Sequence, residues 1–274
     1  MSRILITGSN SGFGLLAALT LARQGHDVIA TMRNLDRAAA LHEAAAAEGL
    51  MIETRALDVT QPESVGAALA DAEHLDVIIN NAGFEVQAAV EQLTDELMWS
   101  QLDTNVLGPL RTMRAVLPVW RERGHGVIVN VSSIAGRVGS PYGGGYAASK
   151  FALEALSEAA HFEMRHFGIR IHLIEPGRFP TGFHDNIKRP ADWDGSIHHQ
   201  RSDAFRTALT ALDGDGPPAD PQTVADAIAA AVNDDQTPLR TLVGTDAQLI
   251  DGAKTAMSFE EFEATMRATL NWFD

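Results

Sequence analysis

Short apolar, β-branched runs alternate along the chain with longer segments whose apolar residues recur at helical spacing. Residues 3–7 read as a first strand. Residues 12–24 carry Leu15, Leu16, Leu19 and Ala22 on one helical face, and Gly25 follows as a glycine C-cap. A second strand is predicted at 28–31, an alanine-rich helix at 36–48 before Gly49, and a third strand at 51–57. Thr60, Pro62 and Glu63 read as a capping box with proline in the first turn, which predicts a helix from there to about residue 72. Further strands are predicted at 75–80, 126–132, 169–175 and 239–243. Long helical stretches are predicted at 94–123, interrupted near Gly108 and Pro109, and at 146–167. Another helix opens at Asp220 and Pro221 and runs to about residue 233, and a Ser258/Glu261 capping box predicts a last one.

Strands separated by helices imply βαβ units and a parallel sheet covered on both faces. No low-complexity linker divides the chain, so one domain is expected. Residues 1–180 form its core, and the C-terminal helices and last strand occupy 220–274. Residues 181–219 are rich in Gly, Pro, Asp and His and only weakly periodic, which predicts an irregular lid over a site.

Composition narrows the function classes. The chain has no cysteine, which excludes disulfides, thiolate metal sites and a cysteine nucleophile. A formal net charge of -15 disfavours nucleic acid and anionic membrane surfaces. Neither a secretory leader nor a membrane span is apparent, so a cytoplasmic location is expected. The pair His198 and His199 has no accompanying ligand cluster, so a solvated loop is expected there and no metal.

Candidate chemistry begins after the first strand. Gly8, Ser9, Asn10, Ser11, Gly12, Phe13 and Gly14 occupy a strand-to-helix turn. Gly8 allows the tight turn, Gly12 lets backbone approach a pyrophosphate, and Gly14 lets helix pack closely on strand. The helix N-terminus supplies free N–H groups. A plain glycine-rich turn is the bland alternative, but the βα context favours a dinucleotide site.

The spacing T-G-x-x-x-G-x-G resembles the fingerprint of the short-chain dehydrogenases/reductases of classical type. The ordered set that follows strengthens the resemblance: Asn80-Asn81-Ala82-Gly83, Asn105, Ser133, Tyr146-x-x-x-Lys150 and Pro176-Gly177. It covers nearly the whole chain and implies a single-domain α/β Rossmann fold. Its doubly wound parallel sheet would have seven strands in the order 3-2-1-4-5-6-7, with helices on both faces. The run through Arg33 and residues 175–181 is similar to the 17β-hydroxysteroid and retinol dehydrogenase-like branch.

The end of the second strand bears on cofactor choice. A carboxylate there binds the ribose hydroxyls of NAD(H) and repels the extra phosphate of NADP(H). Met32 stands where NAD-preferring relatives carry Asp, and Arg33 follows, so NADP(H) is favoured over NAD(H). The resemblance places Asp58 and Val59 by the adenine ring and Asn81, Ala82 and Gly83 by the ribose. Pro176, Gly177, Phe179 and Thr181 fall by the nicotinamide, with Thr181 bonding the carboxamide.

Tyr146 and Lys150 lie four apart and share a helical face. A nearby ammonium is expected to lower the tyrosine pKa toward working range, making Tyr146 a general acid or base. The resemblance assigns Ser133 to the substrate oxygen, Lys150 also to the ribose hydroxyls, and Asn105 to a water linking Lys150 with solvent. The expected activity is NADP(H)-dependent interconversion of a carbonyl and an alcohol on a small, apolar substrate. Phe84, Val138, Tyr142, Phe179, Phe183 and Trp193 supply the apolar surface. The helices at 94–123 and 146–167 resemble the pair that forms the family's four-helix dimer interface, so a homodimer or homotetramer is expected. A non-enzymatic dinucleotide-binding regulator, or a lyase or epimerase on the same scaffold, is the alternative.

Overall fold

Each apolar run becomes a strand: Arg3–Thr7 (β1), Asp27–Met32 (β2), Ile52–Ala56 (β3), Val77–Asn80 (β4), Gly126–Val131 (β5), Ile169–Pro176 (β6) and Arg240–Val243 (β7). The computed structural model describes residues 1–211 and 218–272. All seven strands pair in parallel in the order β3-β2-β1-β4-β5-β6-β7, the order the resemblance implies. Register follows directly, with Ile4 opposite Val28 on one side and Val77 on the other.

Alternation along the strands divides the core into two layers. Ile4, Ile6, Val28, Ala30, Val77 and Ile79 face one side, against Gly12–Arg23 (α1), Ala39–Ala47 (α2) and Gln222–Asn233 (α8). Leu5, Ile29, Ile78, Ile128 and Ile171 face the other, against Pro62–Ala68 (α3), Gly108–Arg123 (α5) and Gly144–Met164 (α6). The sheet is therefore buried on both faces, which is why its strands read as nearly continuous apolar runs. A buried polar chain crosses the second layer. Thr112 donates to Asn80 at 2.6 Å, Asn80 to Asn130 at 2.8 Å, and Asn130 to Ser157 at 2.8 Å.

The structure corrects several expectations. The helix predicted for 60–72 is α3 alone, capped at Gln61 without a side-chain bond. Thr60 instead donates its hydroxyl to Asp58 at 2.7 Å, and Asp58 Oδ1 also accepts from the Thr60 N–H. The interruption near Gly108 is a π-helical turn, Asp103–Leu107, between Asp95–Leu102 (α4) and α5. The 181–219 segment contains a 15-residue helix, Ile197–Ala211 (α7), and residues 212–217 lie outside the described residues. His198 and His199 belong to α7 rather than a loop; His198 bonds Glu91, and His199 pairs with Asp203 at 3.3 Å. Thr245–Ala256 (α9) was not predicted. Phe259–Leu270 (α10) begins with the predicted capping box, both of its bonds present.

Candidate active site

The carboxyl ends of β1, β4, β5 and β6 bring the singled-out residues to one edge of the sheet. Gly8 and Gly12 have φ of +71° and +57°, which side-chain-bearing residues adopt at a cost. A Cβ on Gly8 would stand 2.9 Å from the Ala82 backbone. One on Gly14 would stand 2.4 Å from the Gly8 carbonyl oxygen and 2.5 Å from the Asn81 amide nitrogen. Asn81 clamps the turn by donating to the Thr7 and Gly8 carbonyls, and Thr7 Oγ1 accepts from the Asn81 and Ala82 N–H groups. Ser9 is fully buried, with its N–H on the Thr31 carbonyl and its hydroxyl on Ile6. Its polar atoms therefore shape the loop from inside. Asn10, Ser11 and Phe13 lie less buried around the helix start.

Three further segments converge on this cradle. Thr181 faces the loop, since a Cβ on Gly12 would lie 3.6 Å from its Cβ. Phe179 packs edge-on against Phe13, with ring centroids 5.7 Å apart. Pro176 ends β6, and the Gly177 N–H donates to the Val243 carbonyl at 2.8 Å. Sequence reasoning missed Asp246, which accepts from the Arg178 N–H at 2.8 Å and crowds the position a Gly177 side chain would take. An acid in the first turn of α9 was the available signal. Arg33 is exposed at the end of β2, and no described residue engages its guanidinium. The Asp58–Val59 turn is pinned by Arg111, which donates to the Val59 carbonyl at 3.0 Å and pairs with Asp103 at 2.6 Å.

Ser133 follows β5 and caps a short 3₁₀ turn, accepting from the Ala135 N–H at 3.1 Å. Tyr146 is half-buried at the first turn of α6, beside Phe183. Lys150, one turn on, is buried and donates to the Val131 carbonyl at 2.8 Å, its Nζ 5.6 Å from the Tyr146 ring centre. Asn105 sits in the π-helical turn, a feature that recurs at functional sites. Its amide donates to Phe84 O and Ser149 Oγ, and its oxygen accepts from the Phe84 N–H. Both amide hydrogens are thus engaged within the protein, and Ser149 passes the contact to the Tyr146 carbonyl.

Electrostatics depart from the expectation for Tyr146. Burial, then the Glu85 carboxylate, raise its hydroxyl well above the ordinary tyrosine range, while hydrogen bonding with Ser133 pulls weakly down. Burial also pushes the Lys150 ammonium down to about 8, against the pull of Glu154. In the free protein Tyr146 holds its proton.

The wall opposite Tyr146 is built by the chain after β4. Glu85 is buried and pairs with Arg206 of α7 at 2.6 Å. Gln87 donates to Ser202 of α7 at 2.6 Å and accepts from Arg189 at 2.9 Å. These bonds fasten α7 against the site.

The glycine cradle fits a dinucleotide phosphate: a Cβ at Gly8 or Gly14 would collide with the Ala82, Gly8 and Asn81 atoms that give the turn its shape, and the N-terminus of α1 follows the turn with its N–H groups. Comparison with known proteins gives the same direction. The family model described as short chain dehydrogenase matches residues 2–192. The 3-ketodihydrosphingosine reductase of Bacteroides thetaiotaomicron is 36% identical over 253 residues, covering 90% of this chain and 89% of its own. Human retinol dehydrogenase 8 is 35% identical over 250 residues, covering 86% and 79%. The crystal structure of a short-chain dehydrogenase from Streptomyces avermitilis superposes with a TM-score of 0.77 at 32% identity, covering 98% of both chains. With its parallel seven-stranded sheet, its glycine turn and its Ser133, Tyr146 and Lys150 on one edge, the chain belongs to the short-chain dehydrogenase/reductase family of NAD(P)-dependent oxidoreductases.

Proposed function

We propose that the protein is an NADP(H)-dependent oxidoreductase interconverting a carbonyl and an alcohol on an apolar substrate. The observation that carries this reading is the meeting of Ser133, Tyr146 and Lys150 beside the cradle of Gly8, Gly12 and Gly14. A bound nicotinamide dinucleotide supplies hydride chemistry. Arg33, exposed and engaged by no described residue where an acid would select NAD(H), supports preference for the phosphorylated form. Asp58 and Val59, Asn81 to Gly83, and Pro176 to Thr181 line the same edge and would hold the rest of the dinucleotide.

Tyr146 Oη keeps its proton in the free protein, which suits it to protonate a substrate oxygen during reduction. Ser133 Oγ would hold that oxygen and fix its direction. Lys150, kept near its turning point between charged and neutral, would restore the proton at Oη. Asn105 holds the Phe84 wall in place. Residues 181–211 act as a lid fastened through Arg206 and Ser202. Half-buried Phe84, Tyr142 and Phe183 favour an apolar substrate, while Trp193, expected to join them, is buried against Tyr142. Curated relatives named for a keto compound and for retinol support the carbonyl/alcohol reading. Exposed Trp99, Phe151 and Phe162 on α4 and α6 support a homo-oligomer.

The test is NADPH oxidation monitored across aliphatic, aryl and steroidal ketones. Turnover with at least one class is expected. Tight NADPH binding with no turnover on any class would favour a binding regulator instead.

A further inference from the structure

Behind Lys150, three buried oxygens have no hydrogen-bond partner among the described residues: Glu154 Oε1, Glu175 Oε1 and Ser132 Oγ. Glu154 is on α6 one turn past Lys150, Glu175 is on β6, and Ser132 follows β5; they are 5%, 1% and 3% exposed. They cluster in space. A Cβ on Gly136 would lie 2.9 Å from Ser132 Oγ and 3.3 Å from Glu154 Oε1. Arg240 Nε of β7 lies 3.0 Å from Glu154 Oε2 and 3.6 Å from Glu175 Oε1, so one edge of a guanidinium serves two buried carboxyl groups.

Two ionised carboxylates are acceptors only and cannot hydrogen-bond one another; a single shared proton lets them. The other charged groups facing the pair are too few or otherwise engaged. Arg240 also binds Glu158. Arg137 is tied to Asp251 of α9 at 2.9 Å. Lys150 donates to a backbone carbonyl. Burial, with the Glu154 charge second, pushes Glu175 up to about 8, while Arg137 and Arg240 pull it back. Beyond the pair an open cavity of about 460 Å³, lined by Arg137, Glu158, Phe162, Arg240 and Lys254, leads to solvent.

We propose that Glu154 and Glu175 are a positioning pair that holds one proton and one negative charge between them, and that this charge keeps Lys150 protonated behind Tyr146. The inference rests on the proposed role of Lys150. It accounts for how a lysine with no direct carboxylate partner remains a cation in a buried site. Because one charge is shared, removing either carboxyl group leaves the other ionised and the countercharge in place. Only the double change removes it.

The experiment has two readouts on Glu154→Gln, Glu175→Gln and the double variant. Infrared difference spectroscopy of the free protein at neutral pH is expected to show a carboxylic-acid C=O band that either single variant loses. The pH profile of NADPH-dependent kcat is expected to keep its alkaline limb within about threefold in each single variant. In the double variant the limb should move by about one pH unit to lower pH, a tenfold loss at a fixed alkaline pH. Absence of the band from the unmodified protein overturns the proposal, whether or not the variants fold. So does a double variant whose limb stays in place, or single variants that each move it as far as the double. Tyr146→Phe, run alongside, separates the outcomes: full activity in that variant would overturn the catalytic reading itself rather than the pair.

Discussion

Lys150→Met should make the free protein more stable while abolishing its activity. Burial lowers the Lys150 ammonium from 10.5 to about 8, which corresponds to roughly 3 kcal/mol of penalty at neutral pH. Methionine fills a similar volume without a charge. It leaves the Val131 carbonyl without its 2.8 Å donor, a loss of about 1 kcal/mol. Glu154 keeps its ion pair with Arg240 at 3.0 Å after the change. The net gain is roughly 2 kcal/mol, or roughly 4–8 °C in Tm for a domain of this size. The pH dependence is a second signature. Between about 8 and 10.5 the unfolded chain binds a proton at Lys150 that the folded chain lacks, so stability of the unmodified protein rises with pH there. The penalty is complete below pH 8, and the gap between variant and parent closes as the pH approaches 10.5. Thermal melts of both proteins from pH 7 to pH 10.5 measure it. A variant that melts below its parent at pH 7, or a gap that does not narrow, would refute the reasoning.

Other perturbations follow from the same geometry. Gly14→Ala forces a Cβ to within 2.4 Å of the Gly8 carbonyl oxygen; it should cost about 1–3 kcal/mol of stability and weaken NADPH binding in a fluorescence titration. Gly12→Ala meets only Thr181 at 3.6 Å and bears the strain of φ +57°, so its loss should be about 1–2 kcal/mol. Asn130→Ala takes the acceptor from the buried Asn80 amide and a donor from the Ser157 oxygen, and urea unfolding should show a loss of about 2–4 kcal/mol. Arg33→Glu should raise KM for NADPH by about 10–100-fold, the worth of one charge-assisted contact, with far less change for NADH.

The strands were legible because a parallel sheet covered on both sides needs apolar residues at nearly every position. Tyr146 and Lys150 were legible because four-residue spacing places them on one helical face. The two unpredicted helices show the limit of periodicity: α7 buries only Ser202 and Phe205, and α9 only Ala247, so neither writes an apolar stripe. Capping boxes at residues 60 and 258 look alike in sequence. Only the second forms: α3 starts one residue late, with Gln61 rather than Thr60 at its N-cap, and Thr60 instead donates its hydroxyl to Asp58. The direction of the Tyr146 shift was not legible, since it depends on burial and on Glu85, a residue 61 positions away whose carboxylate the loop after β4 brings near. The Glu154–Glu175 arrangement is equally nonlocal, assembled from α6, β6 and β7.

Single-turnover kinetics of Tyr146→Phe beside the unmodified protein decide whether Tyr146 is the proton donor of an NADPH-dependent carbonyl reduction. NADPH affinity would be measured on the same samples. Unchanged NADPH binding and a rate lower by about 10²–10⁴-fold are expected of a lost proton donor. A phenylalanine variant that binds NADPH and reduces the ketone at the parent rate would contradict that role.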